Sequence, residues 1–130
     1  MDTSVSELLP VKSILLVEDD LDIRIALRYF LLGEGFQVTE ASNGREAFQI
    51  LENNGAPGLI LLDLRMPEMD GYEFCSRFHA LVPVPAVPIL ILSAEPNAVG
   101  FAQSQGCDLL RKPVDLDELH AKVSSYFLTA

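Results

Sequence analysis

The sequence is short of basic residues, of cysteine and of long apolar runs, and it has no tryptophan. Its 9 lysines and arginines face 19 aspartates and glutamates, so the formal net charge is −10 at pH 7. Such a charge argues against direct binding to nucleic acid, whose phosphates attract basic surfaces. Apolar runs such as Ile89–Leu92 are far shorter than the roughly 20 residues of a membrane span, so we expect no insertion in a membrane.

The cysteines and the N-terminus both bear on the cellular compartment. Cys75 and Cys107 fall in predicted secondary-structure elements and lack the spacing of metal-binding sequence motifs. We therefore interpret them as reduced, buried thiols, as is usual in cytosolic proteins. The N-terminus has neither the basic segment nor the apolar region of a secretion signal. Together these features predict a cytoplasmic protein.

The length and composition predict one folded domain. A chain of 130 residues that is 49% hydrophobic, with no low-complexity tract, can bury a core of its own. Residues 1–11 indicate a short polar tail, which leaves residues 12–130 for the domain. Residues 81–88 contain three prolines and predict a stiff, extended connector inside that domain.

The most informative stretch is residues 58–71, Gly-Leu-Ile-Leu-Leu-Asp-Leu-Arg-Met-Pro-Glu-Met-Asp-Gly. Leu59–Leu62 is the continuous apolar run of a strand that is buried on both faces. The run stops at Asp63, and Met66-Pro67 and Asp70-Gly71 then indicate a loop and a turn. A carboxylate at the end of such a strand is costly unless it is paired, bound to metal or open to a cleft. Taken alone, Asp63 is equally compatible with a loop aspartate that caps the next turn.

Strand-like and helix-like segments alternate along the whole chain. The predicted strands are short apolar or alternating runs, at residues 14–17, 36–40, 59–62, 89–92 and 107–110. The predicted helices have apolar residues at helical spacing, at about residues 21–33, 44–54, 71–80, 96–105 and 116–127. Strands joined by helices run parallel through right-handed crossovers, with helices on both faces of the sheet. The fourth helix is rich in glutamine, serine and glycine, so we expect it to be the least stable.

Polar side chains follow four of the predicted strands, and they are Glu18 and Asp19, Asp63, Ser93, and Lys112. In an open parallel sheet, ligands bind outside the carboxyl ends of the strands. We therefore expect these side chains to lie together at one edge of the sheet. Their coincidence at four separate places is a stronger signal than any single motif.

The predicted site suits phosphoryl chemistry. Three carboxylates brought together repel one another and favour a cation. Oxygen ligands suit Mg²⁺, whereas a set without histidine or thiolate argues against zinc. A lysine ammonium and a serine hydroxyl can hold a phosphoryl group. The Asp63 carboxylate can act as a nucleophile and form an aspartyl phosphate, with catalysis coming from positioning and charge neutralisation.

Four segments together resemble the response-regulator receiver domain of two-component signal transduction. They are Leu-Leu-Val-Glu-Asp-Asp (15–20), Leu-Asp-Leu-Arg-Met-Pro-Glu-Met-Asp-Gly (62–71), Leu-Ser-Ala (92–94) and Arg-Lys-Pro (111–113), and with their spacing the resemblance covers about residues 12–128. It implies an α/β fold, the flavodoxin-like doubly wound (βα)5 arrangement, with a five-stranded parallel sheet of order 2-1-3-4-5. It also implies a signalling switch that catalyses only its own phosphorylation and slow dephosphorylation.

The resemblance also assigns roles to individual residues. Asp63 would be the phosphoacceptor, Ser93 would bond a phosphoryl oxygen, and Lys112 would contact Asp63 or its phosphate. The implied ligands of Mg²⁺ are Asp19 and Asp63 directly, Glu18 through water, and Arg65 through its backbone carbonyl. The Lys112-Pro113 peptide bond would be cis, as it often is in the family. The phosphoryl donor would be a sensor histidine kinase or a histidine phosphotransfer protein, and the output partner is not specified.

One position departs from the family pattern. Receiver domains generally have an aromatic residue three positions before the lysine of the Lys-Pro motif, and here that residue is Leu109. Leucine has neither a ring nor a hydroxyl, so the aromatic half of the usual switch is not expected. Arg65 and Glu95 flank the expected phosphoryl position, where the family varies and the lifetime of the phosphate is set.

Two other functions fit parts of the sequence. A Mg²⁺-dependent aspartyl phosphatase also uses an aspartate nucleophile at a strand end. Enzymes of that kind in the haloacid dehalogenase family have a second aspartate two residues later as acid and base, where this chain has Arg65. The other alternative is a receiver fold that binds partners and is never phosphorylated, which the complete set of site residues disfavours. His79 and His120 fall in predicted helices and are assigned no catalytic role.

Overall fold

Strands and helices alternate through the residues that the computed structural model describes, which are 12–81 and 87–127. The strands are β1 (Ser13–Val17), β2 (Gln37–Ala41), β3 (Leu59–Asp63), β4 (Ile89–Ser93) and β5 (Asp108–Arg111). The helices are α1 (Leu21–Gly33), α2 (Gly44–Asn54), α3 (Gly71–Leu81), α4 (Ala98–Gln105) and α5 (Leu116–Tyr126). The predicted tail and most of the predicted proline-rich connector lie outside the described residues. None of the described helices is long and apolar enough to cross a membrane.

The five strands form one parallel sheet of order β2-β1-β3-β4-β5, which confirms the flavodoxin-like arrangement that the resemblance implied. Leu62 of β3 lies opposite Val17 of β1, and Ser93 of β4 lies opposite Arg111 of β5. Because all strands point the same way, the residues that follow them meet at one edge of the sheet.

Apolar side chains cover both faces of the sheet. Successive residues of a strand point to opposite faces, so each central strand contributes to two separate clusters. One cluster joins the sheet to α3 through Leu15, Ile60, Leu62, Ile91, Phe74 and Phe78. The other joins it to α1 and α5 through Ile14, Leu16, Leu61, Leu90, Leu27, Leu31, Leu119 and Val123. Burial on both faces explains why β1, β3 and β4 are continuous apolar runs rather than alternating ones.

Side-chain caps set where four of the helices begin. Asp20 accepts a hydrogen bond from the backbone N–H of Ile23 at the start of α1, and Asp115 accepts two such bonds at the start of α5. Asn43 and Asp70 do the same for α2 and α3. These bonds satisfy backbone donors that the first turn leaves unpaired. Asp20 is therefore the N-terminal cap of α1.

Three predictions about the C-terminal third are corrected by the structure. The fourth helix begins at Ala98 rather than at residue 96, because Pro96 and Asn97 form a turn. The last strand begins at Asp108, the first residue of this segment that pairs with β4. Cys107 therefore precedes the strand and is partly exposed, so its predicted burial is wrong, whereas Cys75 is fully buried as predicted. Both cysteines are free thiols.

Candidate functional site

The carboxyl ends of β1, β3, β4 and β5 border a cleft of about 520 Å³. All the residues that the sequence assigns to the site line this cleft, namely Glu18, Asp19, Asp63, Arg65, Ser93 and Lys112. The parallel register therefore gathers side chains that are as much as 94 positions apart in the chain.

Three carboxylates lie side by side in the cleft. One oxygen from each of Glu18, Asp19 and Asp63 lies within 4.8 Å of the other two. Glu18 and Asp63 are only 1% and 5% exposed, while Asp19 is exposed to solvent. Two buried oxygen donors beside one exposed donor fit a hard cation such as Mg²⁺, which keeps several of its waters and takes one or two carboxylates. The donor set of the described cleft thus fits magnesium chemistry.

Lys112 bridges the two buried carboxylates. Its Nζ donates to Glu18 Oε1 at 2.7 Å and to Asp63 Oδ1 at 3.1 Å. Its backbone N–H donates to the carbonyl oxygen of Ser93 at 3.1 Å, which extends the pairing of β4 with β5 by one residue. The Lys112-Pro113 peptide bond is cis, as the resemblance implied. The lysine therefore supplies one positive charge to a site that holds three acidic groups.

Burial shifts the pKa values of the two buried carboxyl groups, and Lys112 offsets the shifts only in part. Burial raises the pKa of Glu18 above 4.5 and that of Asp63 above 3.8, although Lys112 opposes both shifts. Burial lowers the pKa of Lys112, but its hydrogen bond to Glu18 and the charges of both carboxylates outweigh burial, so the pKa is raised overall. Both carboxyl groups thus hold their protons more strongly than in water, and a cation bound beside them would favour their ionised forms.

Glu18 accepts two further hydrogen bonds, one at its side chain and one at its backbone carbonyl. Its Oε2 accepts a hydrogen bond from the backbone N–H of Asp20 at 3.2 Å, and its carbonyl oxygen accepts one from Arg24 Nη1 at 2.8 Å. Arg24 also pairs with Glu40 of β2 at 3.1 Å. Sequence reasoning missed this role of Arg24, because an arginine in an amphipathic helix carries no sign of the strand end that it contacts.

Glu95 organises the mouth of the cleft. Its carboxylate accepts from Arg65 Nη1 and from Tyr72 Oη, each at 3.1 Å. Its backbone N–H donates to the Ser93 hydroxyl oxygen at 3.0 Å, and its carbonyl oxygen accepts from Arg111 at 3.3 Å. The sequence placed Arg65 and Glu95 beside the site but did not indicate that they form an ion pair or that Tyr72 joins them.

A close backbone contact holds the strand that carries Asp63 against the start of α3. A Cβ atom at Gly71 would lie 2.3 Å from the carbonyl oxygen of Asp63 and 2.7 Å from Cα of Leu64. The backbone N–H of Gly71 also donates to the Leu64 carbonyl at 3.0 Å. The glycine of the Asp-Gly pair that the sequence marked as a turn therefore permits the close approach of α3 to the strand end that carries Asp63.

The comparisons with known proteins agree with this geometry. The family model of the response regulator receiver domain matches residues 14–124. The chain belongs to the response regulator receiver domain family. Receiver domains are the signalling modules of two-component systems. The strand order described above is the one that the resemblance to this family implied.

Three relatives illustrate how far the similarity extends. An uncharacterised 14.6 kDa protein of Leptolyngbya boryana is 41% identical over 118 residues, which cover 88% of this chain and 89% of that protein. The transcriptional regulatory protein SrrA of Staphylococcus aureus is 36% identical over 113 residues, 86% of this chain but 46% of that protein, so this receiver domain spans about half its length. The crystal structure of a putative response regulator from Chloroflexus aurantiacus superposes with a TM-score of 0.82 at 30% identity, covering 91% of this chain and 98% of that one.

The structure shows the surroundings of Leu109, which stands where receiver domains generally have an aromatic residue. Leu109 pairs with Ile91 of β4 and is half-buried. It packs against the same apolar cluster as Tyr72 and Phe101, whose rings meet edge to face with their centroids 4.7 Å apart. The aromatic contacts near the cleft are therefore made by α3 and α4 rather than by β5.

Proposed function

We propose that this receiver domain accepts a phosphoryl group on Asp63, with Mg²⁺, and thereby switches its binding to an output partner. The donor would be a phosphohistidine on a sensor histidine kinase or on a histidine phosphotransfer protein. The observation that carries the proposal is the position of the Asp63 carboxylate, which bonds Lys112 and lies beside Glu18 and Asp19 in an open cleft.

Different cleft residues would bind the metal, attack the phosphoryl group and hold its oxygens. Asp19 and Asp63 would hold Mg²⁺ directly, with Glu18 acting through water and Arg65 through its backbone carbonyl. When bound, Mg²⁺ supplies positive charge that neutralises the acidic groups and the phosphoryl oxygens. One Asp63 oxygen forms the new bond to phosphorus while the bond from phosphorus to the donor nitrogen breaks. Lys112 and the Ser93 hydroxyl would then hold the phosphoryl oxygens.

The loop after β4 offers a route from phosphorylation to a change of surface. The Ser93 hydroxyl oxygen accepts from the Glu95 backbone, and the Glu95 side chain is tied to Arg65 and Tyr72. A phosphoryl group on Asp63 adds negative charge and acceptor oxygens nearby. Attraction of the Ser93 hydroxyl to that group would draw the loop inward and displace α4, which biases an existing equilibrium between two conformations.

Mass spectrometry of the protein treated with acetyl phosphate and Mg²⁺ tests the proposal. We expect one phosphoryl group to be added per chain, stable enough to detect and sensitive to hydroxylamine as an acyl phosphate. Rapid release of phosphate without an accumulated adduct would instead favour the aspartyl phosphatase. The absence of both adduct and turnover would favour a receiver fold that only binds partners. The same reaction with EDTA in place of Mg²⁺ is the control.

A further inference from the structure

A second cluster of metal-ligating side chains lies outside the cleft, between α3 and the segment that joins α4 to β5. It contains Cys75 and His79 of α3 together with Cys107, which directly precedes β5. One ligand atom of each residue lies within 4.8 Å of the other two. The described lining of the cleft includes none of these residues, and the proposed phosphoryl transfer does not use them.

We propose that Cys75, His79 and Cys107 bind one Zn²⁺ ion, with the side-chain carbonyl of Gln105 as the fourth ligand. Two thiolates and an imidazole are the donor types that zinc prefers in proteins. Two thiolates also balance the charge of a divalent ion, so the complex is neutral. Neutrality matters here because Cys75 is fully buried, and a buried net charge would be costly.

The distances agree with a tetrahedral site. With zinc–sulfur bonds of about 2.3 Å and zinc–nitrogen bonds of about 2.05 Å, a sulfur and a nitrogen ligand lie about 3.6 Å apart. Cys75 Sγ lies 3.8 Å from His79 Nδ1. Gln105 Oε1 lies 3.7 Å from Cys75 Sγ and 2.9 Å from His79 Nδ1, where a tetrahedral site needs about 3.6 and 3.4 Å. Each of these three distances is within about half an ångström of the ideal value, so Cys75, His79 and Gln105 already lie near tetrahedral positions. The ligand atom of Cys107 lies within 4.8 Å of those of Cys75 and His79.

The hydrogen bonds of the cluster show how the ligands are already oriented. The Cys75 thiol donates to Gln105 Oε1, which also lies within hydrogen-bond distance of His79 Nδ1. On binding, zinc would replace the two thiol protons, which pass to solvent, and the imidazole would carry its proton on Nε2. His79 and Cys107 are partly exposed, so solvent reaches one side of the cluster and the ion has a path to it.

The bound ion would link α3 to the junction between α4 and β5. Cys75 and His79 are one helical turn apart, Gln105 is the last residue of α4, and Cys107 lies between α4 and β5. Among the five helices described, α4 is the one whose first turn has no side-chain cap. Zinc would thus tie down the C-terminal end of the least anchored helix.

Cobalt absorption spectroscopy tests the site on the full chain. The protein would be kept reduced with a phosphine, freed of metal and titrated with Co²⁺ in excess Mg²⁺, which keeps Co²⁺ from the acidic cleft. We expect one equivalent of Co²⁺ to give a thiolate-to-metal charge-transfer band and visible bands of tetrahedral intensity. One equivalent of Zn²⁺ should abolish them. A cleft of oxygen ligands gives no thiolate band, so the result does not depend on the proposed function.

Matched variants assign the ligands. Cys107→Ser should weaken the charge-transfer band, because one of the two thiolate ligands is lost, and His79→Asn should weaken Zn²⁺ binding by about 10-fold or more. His120→Asn removes the other histidine of the chain, and should leave Zn²⁺ affinity unchanged. If Cys107→Ser does not fold, His79→Asn decides the question. His79 is partly exposed, so we expect its replacement to leave the protein folded.

Three results would overturn the proposal. They are no charge-transfer band in the folded protein, equal Zn²⁺ affinity of His79→Asn and His120→Asn, and a Cys75–Cys107 disulfide that persists in the reductant.

Discussion

At Asp63, burial and charge act in opposite directions. Its carboxylate is 5% exposed, which penalises ionisation, while Lys112 at 3.1 Å favours it. Burial dominates, and the pKa of the folded protein is raised above 3.8. A carboxyl group whose pKa is raised by folding stabilises the protein fully below its unfolded value, and it loses that contribution as the pH rises through the folded value. The nucleophile that we propose is therefore a source of instability near neutral pH.

Replacement of the Asp63 carboxyl group should relieve this instability. In EDTA at pH 7, we expect Asp63→Asn to raise the free energy of unfolding, because the amide cannot ionise. The gain should shrink as the pH is lowered from 7 towards 4, since the wild-type carboxyl group then becomes protonated in the folded state. Urea unfolding curves across this range measure the difference. A gain that is unchanged by pH would count against burial of an ionised Asp63.

Asp22→Asn is the matched control for that comparison. Asp22 is an exposed acidic residue in the first turn of α1. Loss of its charge there should slightly destabilise the helix, by about 0.3–1 kcal/mol. The two variants make the same chemical change in a chain with a net charge of −10. Opposite effects on stability would therefore be due to the position of Asp63 and not to a general loss of acidity.

The site residues could be predicted because each stands at a visible boundary. Asp63 and Ser93 follow runs of leucine and isoleucine, and Lys112 precedes a proline. The contacts of Tyr72 with Glu95 could not be predicted, since they join residues 23 positions apart on different elements. For Cys75 and His79 a signal was present, because residues four apart on a helix share a face. Cys107 could join them only once the sheet had been formed.

At the scale of elements, the connection between β3 and α3 requires glycine at position 71, because there is no room for a Cβ atom there. The backbones of Asp63 and Gly71 approach so closely that a methyl group at Gly71 would meet the carbonyl oxygen of Asp63 at 2.3 Å. Both partners in this contact are backbone atoms, so neither can rotate away. The end of the strand must move instead, and Asp63 moves with it.

We therefore expect Gly71→Ala to destabilise the domain by about 1–3 kcal/mol, the usual effect of overpacking a well-packed region. Gly100→Ala is the matched control, because no described atom would lie within 4 Å of the new Cβ inside α4. Alanine in a helix should stabilise by about 0.5–1 kcal/mol relative to glycine. Chemical denaturation of both variants measures the two effects. Equal effects would mean that the close contact at Gly71 carries no strain.

Helix α4 differs from the other described helices in how it begins. Asn97 makes no capping bond to the first turn. Its side-chain Oδ1 instead accepts a hydrogen bond from the Tyr72 hydroxyl at 3.3 Å. The helix contains Gly100 and buries only Ala98 and Ala102 fully. These features agree with the prediction that it is the least stable helix.

Hydrogen exchange should detect that weakness directly. We expect the amides of α4 to exchange faster than those of α5, because α5 has a side-chain cap and buries Leu119 and Val123. Gly100→Ala should slow exchange in α4 by about 3- to 5-fold, the equivalent of 0.6–1 kcal/mol. Mass spectrometry of peptides from both helices gives the comparison. Equal protection of α4 and α5 in the wild-type protein would contradict the prediction that α4 is the least stable helix.

At the scale of the whole molecule, the topology was the most predictable feature. Apolar runs separated by amphipathic helices allow few arrangements other than a parallel sheet covered on both faces. Positions of single residues were harder to predict, because pairing between strands decides them. Cys107 illustrates this, since β5 begins one residue later than its apolar pattern suggests, where Asp108 meets Leu90.

The acidic cleft should couple magnesium to global stability. A ligand that binds only the folded state at 100 times its dissociation constant raises the free energy of unfolding by about 2.7 kcal/mol. We expect Mg²⁺ to have such an effect, and Asp19→Asn to abolish most of it, since Asp19 is an exposed candidate ligand. Asp22→Asn should retain it. Unfolding in Mg²⁺ and in EDTA tests this, and equal stabilisation of the two variants would place the ion elsewhere.

The most direct test of the central claim is phosphorylation of three proteins side by side with acetyl phosphate and Mg²⁺, followed by intact-mass measurement and mapping of the modified residue. The claim is that groups gathered by the sheet make Asp63 the acceptor. We expect the wild type and Asp22→Asn to gain one phosphoryl group at Asp63, and Asp63→Asn to gain none. Labelling of Asp63→Asn to the same extent as the wild type would contradict the claim.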